Sequence, residues 1–226
     1  MSKPVLHCPV VAIDGPTASG KGTVAALVAA KLGYHYLDSG AIYRVLAVAA
    51  AQHGLNPDVP ADLQQIIPMS ANLPVQFHGN TVLLNGVDVS ETIRTEDAGV
   101  MASRLAVVPG VRAGLLQRQR DFRQAPGLVA DGRDMGSVVF PDSLLKVFLT
   151  ASATVRAERR VRQIEARGLH ADFQAIYNDL VARDKRDTER AVAPLKPCED
   201  ALVLDCSSMP IDQVVGTILG WAQERI

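Results

Sequence analysis

Gly15-Pro16-Thr17-Ala18-Ser19-Gly20-Lys21-Gly22-Thr23 sets two glycines and a lysine at the spacing G-x-x-x-x-G-K. Glycines let a backbone turn its N–H groups inward around phosphate oxygens, and a helix amino terminus adds partial positive charge. Lys21 supplies a full charge, and the Thr23 hydroxyl is offered to Mg2+. The run Gly15 to Thr23 is therefore a candidate cradle for the phosphates of ATP. A bland glycine-rich turn with a surface lysine would not need a strand before it and a helix after it. This run has both, in the apolar Val10-Val11-Ala12-Ile13 and the alanine-rich Lys21 to Leu32.

Arginines supply the other candidate chemistry. Asp38-Ser39-Gly40-Ala41-Ile42-Tyr43-Arg44 opens a helix with a hydroxyl, a phenol and a guanidinium, and Arg44 can take a phosphate through two donors. Arg156, Arg159 and Arg160 fall at i, i+3 and i+4 of a helix expected after Ser152, and Arg167 extends that face. Arg183, Asp187 and Arg190, at i, i+4 and i+7, suggest a second face on which Asp187 holds the arginines apart. Taken alone, such faces are usually solvated, and Glu158, Glu165, Asp184 and Glu189 are available to pair with them. Beside a phosphate cradle they read instead as a mobile lid, with Arg156 and Arg160 neutralising triphosphate charge.

These residues need elements to hold them. Strands are expected at Val10 to Ile13, Tyr34 to Leu37, Leu128 to Ala130, Lys146 to Thr150 and Leu202 to Leu204, with helical patterns between most of them. That alternation predicts an α/β fold, a parallel five-stranded sheet covered by helices. In such sheets ligands bind beyond the carboxyl ends of the strands, where Asp14-Gly15, Asp38-Ser39-Gly40, Asp131-Gly132-Arg133-Asp134 and Asp205 all fall. Val75 to Val89 breaks the rhythm with short β-like runs, His78-Gly79-Asn80 and the strong hairpin signal Asn85-Gly86, and predicts a small antiparallel insertion. Pro60, Pro68 and Pro74 mark its approach, and Thr95 with Glu96 and Asp97 reads as a capped helix start. Trp221, with Val214, Ile218 and Leu219, reads as core packing on a last helix.

The bulk properties narrow the function. The chain has 226 residues, 48% hydrophobic and 21% charged, which suits one globular domain with small inserted pieces. The expected division is a core of residues 1–65, 97–150 and 191–226, an insertion at about 66–96 and a lid at about 151–190. A net charge of -1 argues against nucleic-acid or acidic-membrane binding by the whole surface, so any polyanion site is local. Cys8, Cys198 and Cys206 have neither disulfide nor zinc spacing and read as reduced thiols. Met1 to Val10 carries one lysine and no apolar leader, and no run could span a bilayer, so the expectation is a cytoplasmic protein. His7, His35, His53, His78 and His170 are scattered and read as structural or surface residues.

The displaced hydroxyl, Thr23 after Gly22, resembles the loop of nucleoside monophosphate kinases. The likeness sharpens in the runs Leu37 to Arg44, Ala130 to Phe140 (ADGRDMGSVVF) and Arg183 to Leu195 (RDKRDTERAVAPL), which together with the loop resemble the bacterial cytidylate kinases over nearly the whole chain. The β-like insertion matches the long form of that family. The resemblance implies that Ser103, Arg112 and Asp134 read the cytosine ring, that Arg183 and Asp187 touch the ribose, and that Arg44, Arg133 and Arg190 hold the acceptor phosphate. Ser39 and Tyr43 join this acceptor set. A carboxylate such as Asp134 accepts from the cytosine amino group but would face a carbonyl in uracil, a mismatch that a polar site rejects strongly.

The implied activity is transfer of the γ-phosphoryl group of ATP, with Mg2+, to CMP or dCMP by a monomer. An acceptor phosphate already ionised near neutral pH needs no strong base, so catalysis would rest on alignment and on charge cancellation by Lys21, Arg133, Arg160 and Arg190. Two alternatives stand beside this reading. One is a kinase of the same build for UMP, AMP or shikimate. The other is a non-catalytic nucleotide switch or nucleic-acid-binding ATPase, disfavoured by the net charge and the few aromatic residues.

Overall fold

A computed structural model describes residues 8–79, 81–166 and 168–225. His7, Asn80 and Arg167 lie outside the described residues, as does most of the segment read above for a leader. Along the chain come β1 (Val10–Asp14), α1 (Lys21–Leu32), β2 (His35–Asp38), α2 (Ser39–Gln52) and α3 (Pro60–Ala71). Then follow β3 (Val75–His78), β4 (Thr81–Leu84), β5 (Val87–Asp88), α4 (Glu96–Leu105), α5 (Pro109–Arg120) and β6 (Leu128–Gly132). The chain continues through β7 (Leu145–Thr150), α6 (Ala153–Glu165), α7 (Phe173–Glu189), β8 (Leu202–Asp205) and α8 (Ile211–Gln223). Two compact units result, one formed by the chain up to Leu37 with everything from Phe122 on, the other by Asp38–Asp121.

The first unit is built on a five-stranded parallel sheet in the order β2-β6-β1-β7-β8. β1 and β6 are buried at every position, which is why they read as unbroken apolar runs rather than alternating ones. On one face Val11, Ile13, Val129, Val147 and Leu149 pack with Val24 and Val28 of α1 and with Val214 and Ile218 of α8, and Leu219 and Trp221 lean on this core. The register pairs Asp14 with Gly132 and with Phe148, and Thr150 with Asp205, so the carboxyl ends of four strands form one edge. Each strand ends on a polar or glycine residue beyond its apolar run, because the parallel ladder is made by backbone groups and does not stop where hydrophobicity does.

The second unit holds α2 to α5 and a three-stranded antiparallel sheet, β3-β4-β5. Asn85 and Gly86, at φ 52 and 78, make the two-residue turn between the paired Leu84 and Val87. Thr95 caps α4 by accepting from the Ala98 N–H. Two of the prolines that mark the approach to this sheet lie in α3. Pro60 is the first residue of α3, where its missing N–H costs nothing, and Pro68 lies inside that helix close to its end. A correction concerns Arg190. α7 ends at Glu189 and Arg190 is extended, so Arg183, Asp187 and Arg190 do not share one helical face. The chain leaves the helical path at Arg190 itself, whose backbone is at φ -61 and ψ 138.

Candidate active site

β1 delivers the chain to Asp14 at the carboxyl edge of the sheet, and the loop Gly15 to Gly20 turns it back into α1. A glycine is required at 15 by close approach, since a Cβ there would lie 2.1 Å from the Leu149 carbonyl oxygen. Gly20 is left-handed at φ 89, and so is Ala18 at φ 60, a conformation that costs a residue with a Cβ about 1–2 kcal/mol. That strain sits inside the cradle, as is common at ligand loops. Lys21 is 9% exposed, and its ammonium group donates to the Pro16 carbonyl at 3.2 Å, folded over the loop. The Ser19 hydroxyl is buried and has no hydrogen-bond partner among the described residues. An orphaned hydroxyl in a glycine-rich loop at a helix amino terminus fits a phosphate oxygen.

The arginines of α6 brace this loop. Arg156 is 4% exposed, donates to the Thr17 carbonyl at 3.0 Å and the Ala151 carbonyl at 2.9 Å, and forms a two-pronged ion pair with Asp184 of α7. Arg159 donates to the Ser19 carbonyl at 3.0 Å and the Cys206 carbonyl at 2.7 Å. Arg160 donates to Gln163 on its own helix at 2.7 Å. Arg133 bridges three pieces at once: its Nε meets Asp187 at 2.8 Å, one terminal nitrogen meets the Thr17 hydroxyl at 2.6 Å, and the other meets the Gly132 carbonyl at 3.2 Å. Asp187 therefore orients Arg133, a role beyond the spacing of Arg183 and Arg190 expected of it. Arg183 is half-buried on α7, and Arg190 turns its Nε to the Ala193 carbonyl.

A cavity of about 470 Å3 opens beside the loop, lined by Ser19, Gly20 and Thr23 on one side and by Arg159, Cys206 and Met209 among others. The binding set expected from the sequence leaves out Arg159 and, although it puts Asp205 at the ligand-binding edge, does not include the wall that follows β8. Asp205 at the end of β8 was the available signal, because it shares the carboxyl edge with the loop. Its carboxylate accepts from the Ser207 N–H at 2.8 Å and hydroxyl at 2.6 Å, which shapes that wall and holds the carboxyl below its usual range. Cys8, Cys198 and Cys206 are free thiols.

Asp14 was also missed. It is 6% exposed, and its two oxygens accept from the Met135 N–H at 2.8 Å and the Gly136 N–H at 2.9 Å. Burial pushes its carboxyl up to about 6, opposed by those two amides. The amides belong to a π-helical turn, Met135–Val139, that follows Asp134, itself 6% exposed. Turns of this kind are rare and recur at functional sites.

Within the second unit, α2 is capped by Asp38, which accepts from the Ala41 N–H at 2.9 Å. Ser39 is buried and donates to Gln119 at 2.7 Å, Tyr43 is 8% exposed, and Arg44 donates to the Ile93 carbonyl at 3.1 Å. Ser103 stands on α4, and Arg112 of α5 reaches the Ala106 carbonyl at the end of α4, at 3.2 Å.

A metal site made of protein alone is not what these residues offer: among the described residues no three His, Cys, Asp or Glu side chains gather as a ligand set. One threonine hydroxyl, Thr23, suits a magnesium ion that keeps water and takes its other oxygens from phosphates.

A glycine loop between a buried parallel strand and a helix, braced by arginines, defines a P-loop kinase. A family model described as Cytidylate kinase matches residues 11–224. The chain belongs to the cytidylate kinase family. It is 54% identical over 222 residues to a cytidylate kinase of Aeromonas hydrophila, covering 96% of this chain and 95% of that one. A cytidylate kinase of Polynucleobacter asymbioticus is 53% identical over 218 residues, with 96% and 98% covered. Among solved structures, an uncharacterized protein from Eubacterium ventriosum matches with a TM-score of 0.54 at 12% identity over 96% of this chain and 99% of that one, a likeness of fold alone.

Proposed function

We propose that this chain transfers the γ-phosphoryl group of ATP to CMP or dCMP, giving CDP or dCDP and ADP. Family membership favours this reading over the UMP, AMP or switch alternatives, and the cradle with its buried, unpartnered Ser19 hydroxyl is the observation that carries the chemistry. Gly15 to Thr23 take the phosphates of ATP, with Lys21 cancelling charge as it is transferred. Mg2+, when bound at Thr23 and the phosphates, supplies further neutralisation of the phosphate oxygens.

On the acceptor side, Ser39, Tyr43, Arg44, Arg133 and Arg190 serve the phosphate, Arg183 and Asp187 the ribose, and Ser103, Arg112 and Asp134 the base. Arg133 is the best placed of these to align transfer, because it is tied to the cradle through Thr17 and to α7 through Asp187. α6 and α7 act as the lid, with Arg156 and Arg160 on the triphosphate, and lid closure keeps water from competing as the acceptor. We read the protein as a cytoplasmic monomer that needs neither nucleic acid nor membrane. No single helix among the described residues is long and apolar enough to cross a membrane.

The test is ADP formation by the purified protein with ATP and Mg2+, offered CMP, dCMP, UMP, AMP or shikimate in turn, against a control without acceptor. Rapid turnover with CMP and dCMP alone is expected. Preference for another acceptor would overturn the base contacts, and turnover indifferent to acceptor would overturn the kinase reading.

A further inference from the structure

Asp14 is a buried carboxylate that the transfer chemistry above leaves unused. Its position is unusual in touching both halves of the site at once. On its carboxyl side the next residue, Gly15, opens the phosphate cradle, and through its side chain it holds the first two amides of the turn that Asp134 begins. Those two bonds, at 2.8 and 2.9 Å, are made one per oxygen, so the carboxylate acts as a fork that fixes both the place and the direction of the turn. Asp134 stands where this turn begins. Its backbone, at φ -150 and ψ 27, is neither strand nor helix, and its carbonyl accepts from Val138 and Val139 at 2.9 and 3.2 Å. The turn is thus secured at its start by Asp14 and along its length by itself.

We propose that Asp14 is a positioning residue that sets base discrimination by holding Asp134 in register with the phosphate cradle. The inference rests on the reading of Asp134 as the group that accepts from the cytosine amine. Asp14 touches neither reacting atom nor base; it acts through the Met135 and Gly136 amides. An asparagine at the same place would keep one acceptor and turn an NH2 donor toward a backbone N–H donor, leaving the fork half broken and the turn free to tilt.

The experiment compares kcat/KM for CMP with that for UMP in the wild type, Asp14→Asn, Asp134→Asn and the double variant, together with KM for ATP. Expected for Asp14→Asn is a fall in the CMP-to-UMP ratio of about tenfold to a hundredfold, with KM for ATP within about threefold of wild type. Expected for the double variant is no further loss of the ratio beyond Asp134→Asn, since both act on one contact. A wild-type ratio in Asp134→Asn would overturn the reading of Asp134 itself. A collapsed ratio in Asp134→Asn beside an intact one in Asp14→Asn would overturn only the role of Asp14, as would an effect confined to KM for ATP.

A second measurement covers failure of the variant to fold. The carboxyl of Asp14, pushed up to about 6, lies among the like charge of Asp134, the opposite charge of Arg133 and the Cys198 thiol. Below that pH the fork loses an acceptor, so the wild-type CMP-to-UMP ratio is expected to fall as pH drops from about 7.5 to 5. The acceptor phosphates titrate alike in both substrates and cancel from the ratio. A ratio constant across that range would overturn the proposal.

Discussion

Between Gly15 and Thr23 the first unit carries its proposed anion site on one uninterrupted stretch, whereas the acceptor residues proposed in the second unit, Ser39 and Arg44, Ser103, and Arg112, stand on three separate helices, α2, α4 and α5. The stretch is fixed by backbone: a glycine pressed against the Leu149 carbonyl, two left-handed residues, and arginines clamped on its own carbonyls. The dispersed set is fixed by helix packing and by single side-chain bonds such as Ser39 to Gln119 and Arg112 to Ala106. A contiguous backbone site has few ways to go wrong and serves any nucleoside triphosphate, while a dispersed one can be retuned one residue at a time. Damage to the first should therefore fall on every acceptor alike, and damage to the second should depend on the acceptor.

The largest effect is expected from the cradle. Lys21→Ala should lower kcat by about 10²- to 10³-fold or more with CMP, dCMP and UMP in equal proportion, while circular dichroism and the unfolding midpoint stay near wild type. Gly15→Ala should be as damaging by another route, because the added methyl must displace the end of β7, and it should lower the unfolding midpoint as well. Rates that fell for one acceptor only would break the contrast at its stronger end.

Next comes the dispersed set. Arg112→Ala should lower kcat/KM for CMP by about ten- to a hundredfold, with KM for ATP unchanged in steady-state assays. Its guanidinium also holds the Ala106 carbonyl, so Arg112→Lys separates charge from geometry: a lysine that rescued binding fully would argue against a forked contact.

Legibility in the sequence followed the same division. The cradle, α1 and the hairpin turn at Asn85-Gly86 were readable because a local rule, glycine spacing or a turn dipeptide, dictates the local structure. Arg159 and the wall around Cys206 were not, because only the ordering of β1, β7 and β8 side by side brings residue 206 to residue 19. Asp14 escaped for a related reason: an aspartate closing a strand looks like a turn former until its amide partners, more than a hundred residues away, are seen. Arg190 misled because spacing alone cannot register that the helix stops at Glu189. The arginine faces were legible as charge, and Asp184 as one acid able to pair with them, but the loop carbonyls that Arg156 engages were not, because they are long-range partners.

A smaller effect tests the first unit by stability rather than rate. The Asp14 carboxyl, raised from 3.8 to about 6, binds its proton more tightly folded than unfolded. Its contribution to stability is therefore fully present below about pH 4 and is lost as pH rises through 6, a change of about 3 kcal/mol. Urea unfolding of the wild type and Asp14→Asn at pH 4.5 and pH 7.5 isolates it: the wild type should lose stability relative to the variant on going to the higher pH. A difference independent of pH would mean that the carboxyl titrates alike in both states.

The smallest effect is expected where the second unit has a local rule of its own. Gly86 sits at φ 78 in the β4–β5 turn, and nothing lies within 4 Å of where its Cβ would be. Gly86→Ala therefore meets no clash and costs only the left-handed strain, about 1 kcal/mol in urea unfolding. Asn85→Ala, at φ 52, should cost a similar amount, because asparagine tolerates that region better than alanine. Neither change touches Ser39, Arg44, Ser103 or Arg112, so kcat/KM for CMP should stay within about twofold of wild type. A loss of discrimination against UMP in either variant would show that the small sheet helps to hold the dispersed set, and that the second unit is less free to be retuned piece by piece than its separate helices suggest.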